Sequence, residues 1–520
     1  MDIQRRTLLA AGAAAPLLAL AGRGLAQPAP GIRPKVAGMA RPAALEDYKR
    51  AIAAMLALPV TDPRNWYRQA LIHVLDCPHR NWWFLPWHRG YLARFEQICA
   101  ELSGNPAFRL PYWDYSESPT VPDAFFDEGF DCGDTRFDRD PSVLMPELLA
   151  ALAATWPTLT AEQRRELARR GLTTPEAVIA DASARWTMNH GARIPNRENP
   201  GLGPRVEFEV SRDKLAAAIN TQTFDRFASG ATASHHQRGA QGLLEGGPHN
   251  SVHGGAGGFM GDFMSPVDPL FWMHHANLDR LWDIWLRRWR GVGQDPLPTG
   301  SARAAYDAEA FTFFCDAQGR PAPVRAGNCL SAMDFGYGYE PGFLEELGQP
   351  RRTSPLVNRL LATSSPDIKR LREGFETADV LSLPRADFAP LLAEDEPGEL
   401  VAEIQLTLPA EAAEANIRVY LNCPYLSRYT PIDDPHYAGT ISFFGGGHAH
   451  GELAAGSDHV HDSASPSTQT VVVTLGPTLR ALGVAGRLPV NAIRVQLMPE
   501  SDEDVVLLGG ALDQVAIAVR

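Results

Sequence analysis

Six histidines, set as two triplets in apolar and aromatic sequence, constrain this chain more than any other feature. The first triplet is His73, His79 and His88, with Cys77 among them. The second is His249, His253 and His275. Apolar spacing predicts a helix from Trp66 to about Val74, which His73 ends, and a second starting near Pro86, which His88 opens. His79 falls in the loop between them. His249 and His253 are four apart and share one face of a helix. His275 belongs to a helix over Pro269–Trp289, on the face marked by Phe271, Leu278, Trp282 and Trp285. A fold that buries both triplets is a mainly α catalytic domain with a central four-helix bundle, whose facing helices project ligands inward.

A lone histidine on an apolar helix is usually a packed core residue. Zinc is the ordinary partner of a single three-histidine site. Two triplets in one domain favour copper, because neutral imidazoles suit it and let the ion pass between Cu(I) and Cu(II). Three ligands leave one face of each ion open. Two such ions can share O2, each giving one electron, while a phenol oxygen takes the remaining position.

The rest of the chain divides by composition. Residues 1–26 read as a leader: Arg5-Arg6, an apolar run over Thr7–Ala21, then Gly24-Leu25-Ala26. The arginine pair predicts twin-arginine export to the periplasm or beyond. The run is shorter than the ~20 residues of a membrane span, so no membrane association is expected once the leader is cleaved. Cleavage takes the formal net charge from −13 to −15. An acidic chain without basic clusters argues against nucleic acid as a partner.

Residues 27–345 are read as the catalytic domain. It includes a helix over Ala43–Leu58, a helical insertion over 141–186 with a capping box at Thr160-Ala161-Glu162-Gln163, and a loop-rich stretch over 190–260. Residues 346–398 are read as a helical or irregular connector. Residues 399–520 read as a C-terminal all-β, sandwich-like domain. Its strands are expected at Glu403–Leu408, Ile417–Leu421, Thr440–Phe444, Thr470–Leu475, Ala492–Leu497 and Val515–Val519. Six cysteines in 520 residues do not make a disulfide scaffold, although Cys315 and Cys329 are close enough in sequence to pair.

His79-x4-Phe84-Leu85-Pro86-Trp87-His88-Arg89-x2-Leu92-x3-Glu96 resembles the copper A signature of the tyrosinase, catechol oxidase and haemocyanin family. Asp268-Pro269-Leu270-Phe271-Trp272-Met273-His274-His275-x3-Asp279 resembles its copper B signature. Arg33, the Tyr337-Gly338-Tyr339 motif and the 197–201 loop are similar to further family features. The tail around 418–422 and 434–436 resembles the β domain of twin-arginine-exported bacterial tyrosinases. The resemblance covers most of 30–520 and is weak over 116–190.

The resemblance implies two copper ions per chain, one on His73, His79 and His88 and one on His249, His253 and His275. His274 is then packing or support. It implies phenolic small molecules and O2 as substrates, and it admits a copper chaperone as partner. Many relatives place the first copper A histidine fifteen or more residues before the second, whereas here five residues separate His73 from His79. By the same resemblance Cys77 is a candidate for a thioether to His79, the alternatives being a thiol or a disulfide.

Glu245 and Asn250 match the family's pair that holds a water to deprotonate a monophenol; the bland alternative is a solvated loop charge and a helix-terminus residue. Phe263 or Met264 is a candidate gate, and Phe443 or Phe444 a candidate cover inserted from the β domain. Asp279 is expected to buttress an arginine or a ligand. The tract His448, His450, His459 and His461 could pass copper to the site or bind metal adventitiously. The reading implied is a tyrosinase that hydroxylates monophenols and oxidises o-diphenols to o-quinones. The nearest alternative is a catechol or o-aminophenol oxidase, and a more distant one is a dioxygen-binding protein. A zinc hydrolase fits poorly, because neither triplet comes with a helical His-Glu-x-x-His.

Overall fold

Local sequence sets where the first helices begin and end in the computed structural model of this chain. Residues 31–189, 192–349, 358–393, 399–408, 416–444, 467–500 and 510–520 are described. The leader over 1–26 and the tract from His448 to His461 lie outside them. The first helix, α1, spans Ala44–Ala57. The side chain of Asn65 accepts from the N–H groups of Tyr67 and Arg68 and so starts α2, Trp66–Asp76. Helix α3, Phe84–Ser103, stops at Gly104, whose φ of 74° a residue with a Cβ adopts only at a cost. The insertion is helical as expected, with α4 at Pro141–Thr155, α5 at Ala161–Arg169 and α6 at Pro175–Asn189. The capping box of Thr160 and Gln163 is formed at 3.1 and 2.9 Å.

The stretch read as loop-rich contains four short helices: α7 (Pro204–Glu209), α8 (Arg212–Asn220), α9 (Phe224–Phe227) and α10 (Asn250–Ala256). Each is under three turns, too short for its periodicity to stand out. Helix α11, Pro269–Gly291, is capped by Asp268, whose carboxylate accepts from Leu270 N–H at 2.8 Å. It is buried around nearly its whole circumference and packs on α3, as expected of a central helix. Among the described residues no helix is long and apolar enough to cross a membrane.

Two antiparallel sheets follow. Their strands are β1 (Arg359–Thr363), β2 (Lys369–Arg370), β3 (Thr377–Ser382), β4 (Leu400–Leu408), β5 (Asn416–Leu421), β6 (Tyr437–Ile441), β7 (Ser467–Thr474), β8 (Ala492–Glu500) and β9 (Ala511–Val519). One sheet has the order β7-β4-β9-β1, with β2 also on β9; the other has the order β6-β5-β8-β3. In β4, Ile404, Leu406 and Leu408 are buried while Gln405 is exposed, the alternation of a sheet packed on one face.

Two expectations are corrected here. Part of the connector supplies β1, β2 and β3, edge strands whose pairing partners lie more than a hundred residues away. The strand expected over Thr440–Phe444 runs instead from Tyr437 to Ile441, which frees Ser442–Phe444 to leave the sheet.

The β part is tied to the helical part by polar contacts. Gln241 adds itself to the edge of β7, donating to Thr470 O at 2.8 Å and accepting from Val472 N–H at 3.2 Å. Lys214 on α8 donates to Ala438 O (3.0 Å) and Thr474 Oγ1 (2.8 Å). Glu209 accepts from Thr440 N–H at 3.0 Å, and Arg226 pairs with Glu403 at 2.7 Å.

Candidate metal centre

The two histidine triplets meet in one buried space. Rings of the first triplet lie 5.5–5.8 Å apart, His73–His79, His73–His88 and His79–His88 in increasing order. In the second, His249 is 4.5 Å from His253 and 5.2 Å from His275. Across the gap His88 stacks on His275 at 4.1 Å and His79 lies 5.4 Å from His249. The short spacing of His73 from His79 does not exclude His73: α2 places its ring fully buried beside the other two.

One ring nitrogen of several histidines is fixed from behind. His73 Nδ1 faces Phe263 O at 2.8 Å, His88 Nδ1 faces Phe84 O at 2.7 Å, and His253 Nδ1 faces Met260 O. His249 Nδ1 is held by Asn250 Oδ1 at 2.7 Å. This is the arrangement that sets tautomer and ring direction in metal sites. The opposite nitrogens of His73 and His249 are buried without a hydrogen-bond partner, and Nε2 of His253 and His275 are 3.2 Å apart. Burial pushes all six imidazoles well below their ordinary range, His88 and His253 to about 3. The rings are therefore neutral, with lone pairs free to bind a cation.

The structure adds His274 to the second group, with a ring nitrogen within 4.8 Å of the ligand atoms of His249, His253 and His275. Adjacent positions on a helix point about 100° apart. His274 accordingly turns toward Tyr115, at 5.5 Å, while His275 faces His88. Cys77 Sγ lies at contact distance from His79, 3.6 Å from Nδ1 and 3.9 Å from Nε2, and 3.5 Å from His88 Nε2. No disulfide joins any of the six cysteines, so Cys315 and Cys329 do not pair. Each is buried at its own place in the core; nearness in sequence did not bring the two sulfurs together.

Glu245 is not a solvated loop charge. It is buried, and burial pushes its carboxyl to about 7 although Ser229 and the Arg80 N–H favour the ionised form. Oε1 accepts from Arg80 N–H at 2.7 Å and Oε2 from the Ser229 hydroxyl. Arg80 sits at φ 58°, a left-handed conformation costing roughly 1–2 kcal/mol for a residue with a Cβ. Glu245 thus helps hold the strained turn that presents His79. Asn250 spans two elements: Oδ1 accepts from His249, and Nδ2 donates to Ser442 O at 2.6 Å. Removing such a partner typically weakens metal binding ~10–100-fold. Asn250→Ala should lose copper to a chelator by that factor, and Asn250→Asp, which keeps the acceptor, should retain most of the affinity.

Of the aromatic candidates, Phe263 and Phe444 reach the histidines. Phe263 lies 5.5 Å from His73 and 5.2 Å from His79, and Met264 is fully buried. Phe444 stands between the triplets, 4.7 Å from His79, 4.4 Å from His253 and 5.3 Å from His249. Phe443 points elsewhere, under the Arg80 guanidinium at 4.8 Å.

Asp279, one turn after His275, receives Arg89 Nε at 2.6 Å and the hydroxyls of Tyr337 (2.6 Å) and Tyr339. Arg33 lies against the Tyr337 ring at 3.6 Å and pairs with Glu96 at 2.8 Å. The strands Gly31–Arg33 and Tyr337–Tyr339, paired in parallel, are thereby locked behind both triplets.

Comparison with known proteins agrees with this architecture. Residues 53–288 match the family described as the common central domain of tyrosinase. A tyrosinase of Streptomyces glaucescens is 33% identical over 218 residues, covering 42% of this chain and 67% of the relative. Tyrosinase HcTyr1 of a Hahella species is 25% identical over 506 residues, covering 88% of this chain and 93% of the relative. The solved structure of a latent apple tyrosinase shares the fold, with a TM-score of 0.57 at 20% identity, covering 94% of this chain and 97% of that one. The convergent histidines and these likenesses lead to one conclusion: the chain belongs to the tyrosinase and polyphenol oxidase family of type-3 copper oxidases.

Proposed function

We propose that this chain is a tyrosinase that hydroxylates monophenols and oxidises the resulting o-diphenols to o-quinones. In this reading one copper is held by His73, His79 and His88 and the other by His249, His253 and His275. The observation that carries it is the convergence of six neutral imidazoles, four of them tied back through Nδ1, with Nε2 of His73 and His249 left without another partner. The donor set fits copper, which favours imidazole. When bound, the pair of ions supplies the electron transfer to O2; the protein supplies the rest.

The Nδ1 partners orient the rings, and the aromatic walls of Phe84, Phe263 and Phe271 exclude water. Glu245, with its carboxyl at about 7, can take a proton near neutral pH, which supports hydroxylation over catechol oxidation alone. In the arrangement seen here both of its oxygens and both ends of Asn250 are engaged. Each Glu245 oxygen and the Asn250 amide nitrogen can still make one further hydrogen bond, so a water can join them. A phenol without any catechol primer tests the reading: hydroxylated product supports it, and oxidation of catechols or o-aminophenols alone favours the narrower oxidase.

Phe444 occupies the space a phenol ring would need between the triplets, so the chain as seen is a closed form. Burying a phenylalanine side chain contributes about 1.5–3 kcal/mol. Phe444→Ala should therefore raise kcat/KM for a small phenol ~10–100-fold, measured by oxygen uptake, whereas Phe443→Ala should not. The leader over 1–26 supports export by the twin-arginine route, checked by the N-terminus of protein recovered from the periplasm or medium.

A further inference from the structure

We propose a separate metal site, for one zinc-type dication, at Asp76, His235, His236 and Glu166. Asp76 ends α2, Glu166 is on α5, and the two histidines lie in the loop after α9. Ligand atoms of Asp76, His235 and His236 lie within 4.8 Å of one another. Asp76 Oδ1 is 3.1 Å from His235 Nε2 and 3.7 Å from His236 Nε2, and His236 Nε2 is 3.4 Å from Glu166 Oε2. Zinc bonds of about 2.0–2.1 Å put tetrahedral donors roughly 3.3–3.4 Å apart, so these spacings are close to three edges of such a tetrahedron.

The cluster is buried, with side-chain exposures of 0% for Asp76 and His235, 3% for His236 and 9% for Glu166. Neither ring nitrogen of His236 makes a hydrogen bond, a costly state for a desolvated imidazole that a metal bond would relieve.

The surroundings are those of a built site. His235 Nδ1 meets Glu309 Oε1 at 2.5 Å, the carboxylate–histidine pairing that orients a metal ligand. Trp87 Nε1 donates to Asp76 Oδ2 at 2.9 Å, and Arg169 donates to both oxygens of Glu166 at 2.7 and 2.8 Å. Two imidazoles and the Asp76 carboxylate, with Glu166 beside His236, suit Zn(II) better than the tetragonal preference of Cu(II), the ion displacing the proton that His235 shares with Asp76. With Glu166 closing in as the fourth donor no position would stay open, which makes the site structural. It would join three segments: the end of α2 one turn beyond His73, the insertion helix α5, and the loop whose carbonyls at His235 and Gln237 accept from Asn81 at 2.8 and 3.0 Å.

Copper-loaded enzyme incubated with zinc chloride and passed over chelating resin should retain one zinc per chain that His236→Ala and Glu166→Gln each fail to retain, by elemental analysis. Zinc held elsewhere on the chain cancels in this difference. Unchanged copper content in the variants shows that they have folded. Cobalt(II) in place of zinc should give intense tetrahedral visible bands in the native chain and none in His236→Ala. Equal zinc retention by native and variant chains, or none retained by the native chain, overturns the proposal and leaves His235 as a simple ion-pair bridge. Either result leaves the phenol oxidase reading untouched, because none of the four residues belongs to the triplets.

Discussion

His249→Ala should leave the chain holding one copper instead of two and lower O2-dependent phenol oxidation by at least ~10³-fold. His249 occupies the middle of the centre, with its ring 4.5 Å from His253, 5.2 Å from His275 and 5.4 Å from His79. Its Nδ1 is held by Asn250, and its Nε2 has no partner but the proposed metal. Without it, two imidazoles remain for the second ion. A catalytic metal supplies several kcal/mol to its reaction, and each 1.36 kcal/mol is about a factor of ten in rate. His274→Ala is the control: it removes a neighbouring buried imidazole that faces Tyr115, and should keep both coppers. Elemental analysis and an oxygen electrode decide the matter. Two coppers and near-native turnover in His249→Ala would sink the assignment of the second triplet.

Asp279→Ala should lower the stability of the helical part by ~3–5 kcal/mol, the usual cost of leaving a buried charge without its partner. Asp279 is the carboxylate that meets Arg89, and it accepts from two tyrosine hydroxyls as well. The Arg89 guanidinium is fully buried over Trp282 at 3.8 Å, and the Asp279 charge holds it well above its ordinary range against burial. Arg33 would keep Glu96, but Arg89 would have no carboxylate in contact among the described residues. Asp279→Asn retains acceptor capacity and should lose less. Urea unfolding followed by tryptophan fluorescence reads this directly, because α11 carries four of the eleven tryptophans. An unchanged midpoint would mean that the network behind the triplets contributes no stability. Copper should also be held less tightly, since Arg89 follows His88 and Asp279 lies one turn past His275.

Much of this protein is legible in its sequence. The i, i+4 pair His249 and His253, the apolar face around His275 and the Thr160–Gln163 capping box are local patterns, and local patterns survive folding. The motif residues also pointed to the right family. Less legible was anything that depends on partners distant in sequence. The edge strands at 359–382 are short, and all three pair with strands beyond residue 490. Ser442–Phe444 looked like the end of a strand until Asn250 took the Ser442 carbonyl and Phe444 turned into the centre. Asp76, His235 and His236 carry no spacing signal, since 159 residues separate Asp76 from His235.

The sequence by itself determined which residues carry imidazoles, which helical faces they lie on, and that a mainly helical part precedes a β part. The tertiary structure alone decided that both triplets face one space, that four of the six rings are turned by a carbonyl or an amide, and that Phe444 rather than Phe443 fills the gap. The physical reason is range. A helical face is fixed by neighbours three or four residues away, whereas the direction of a ring is fixed by whichever backbone atom packing brings behind it, as the Phe263 carbonyl does for His73 across 190 residues.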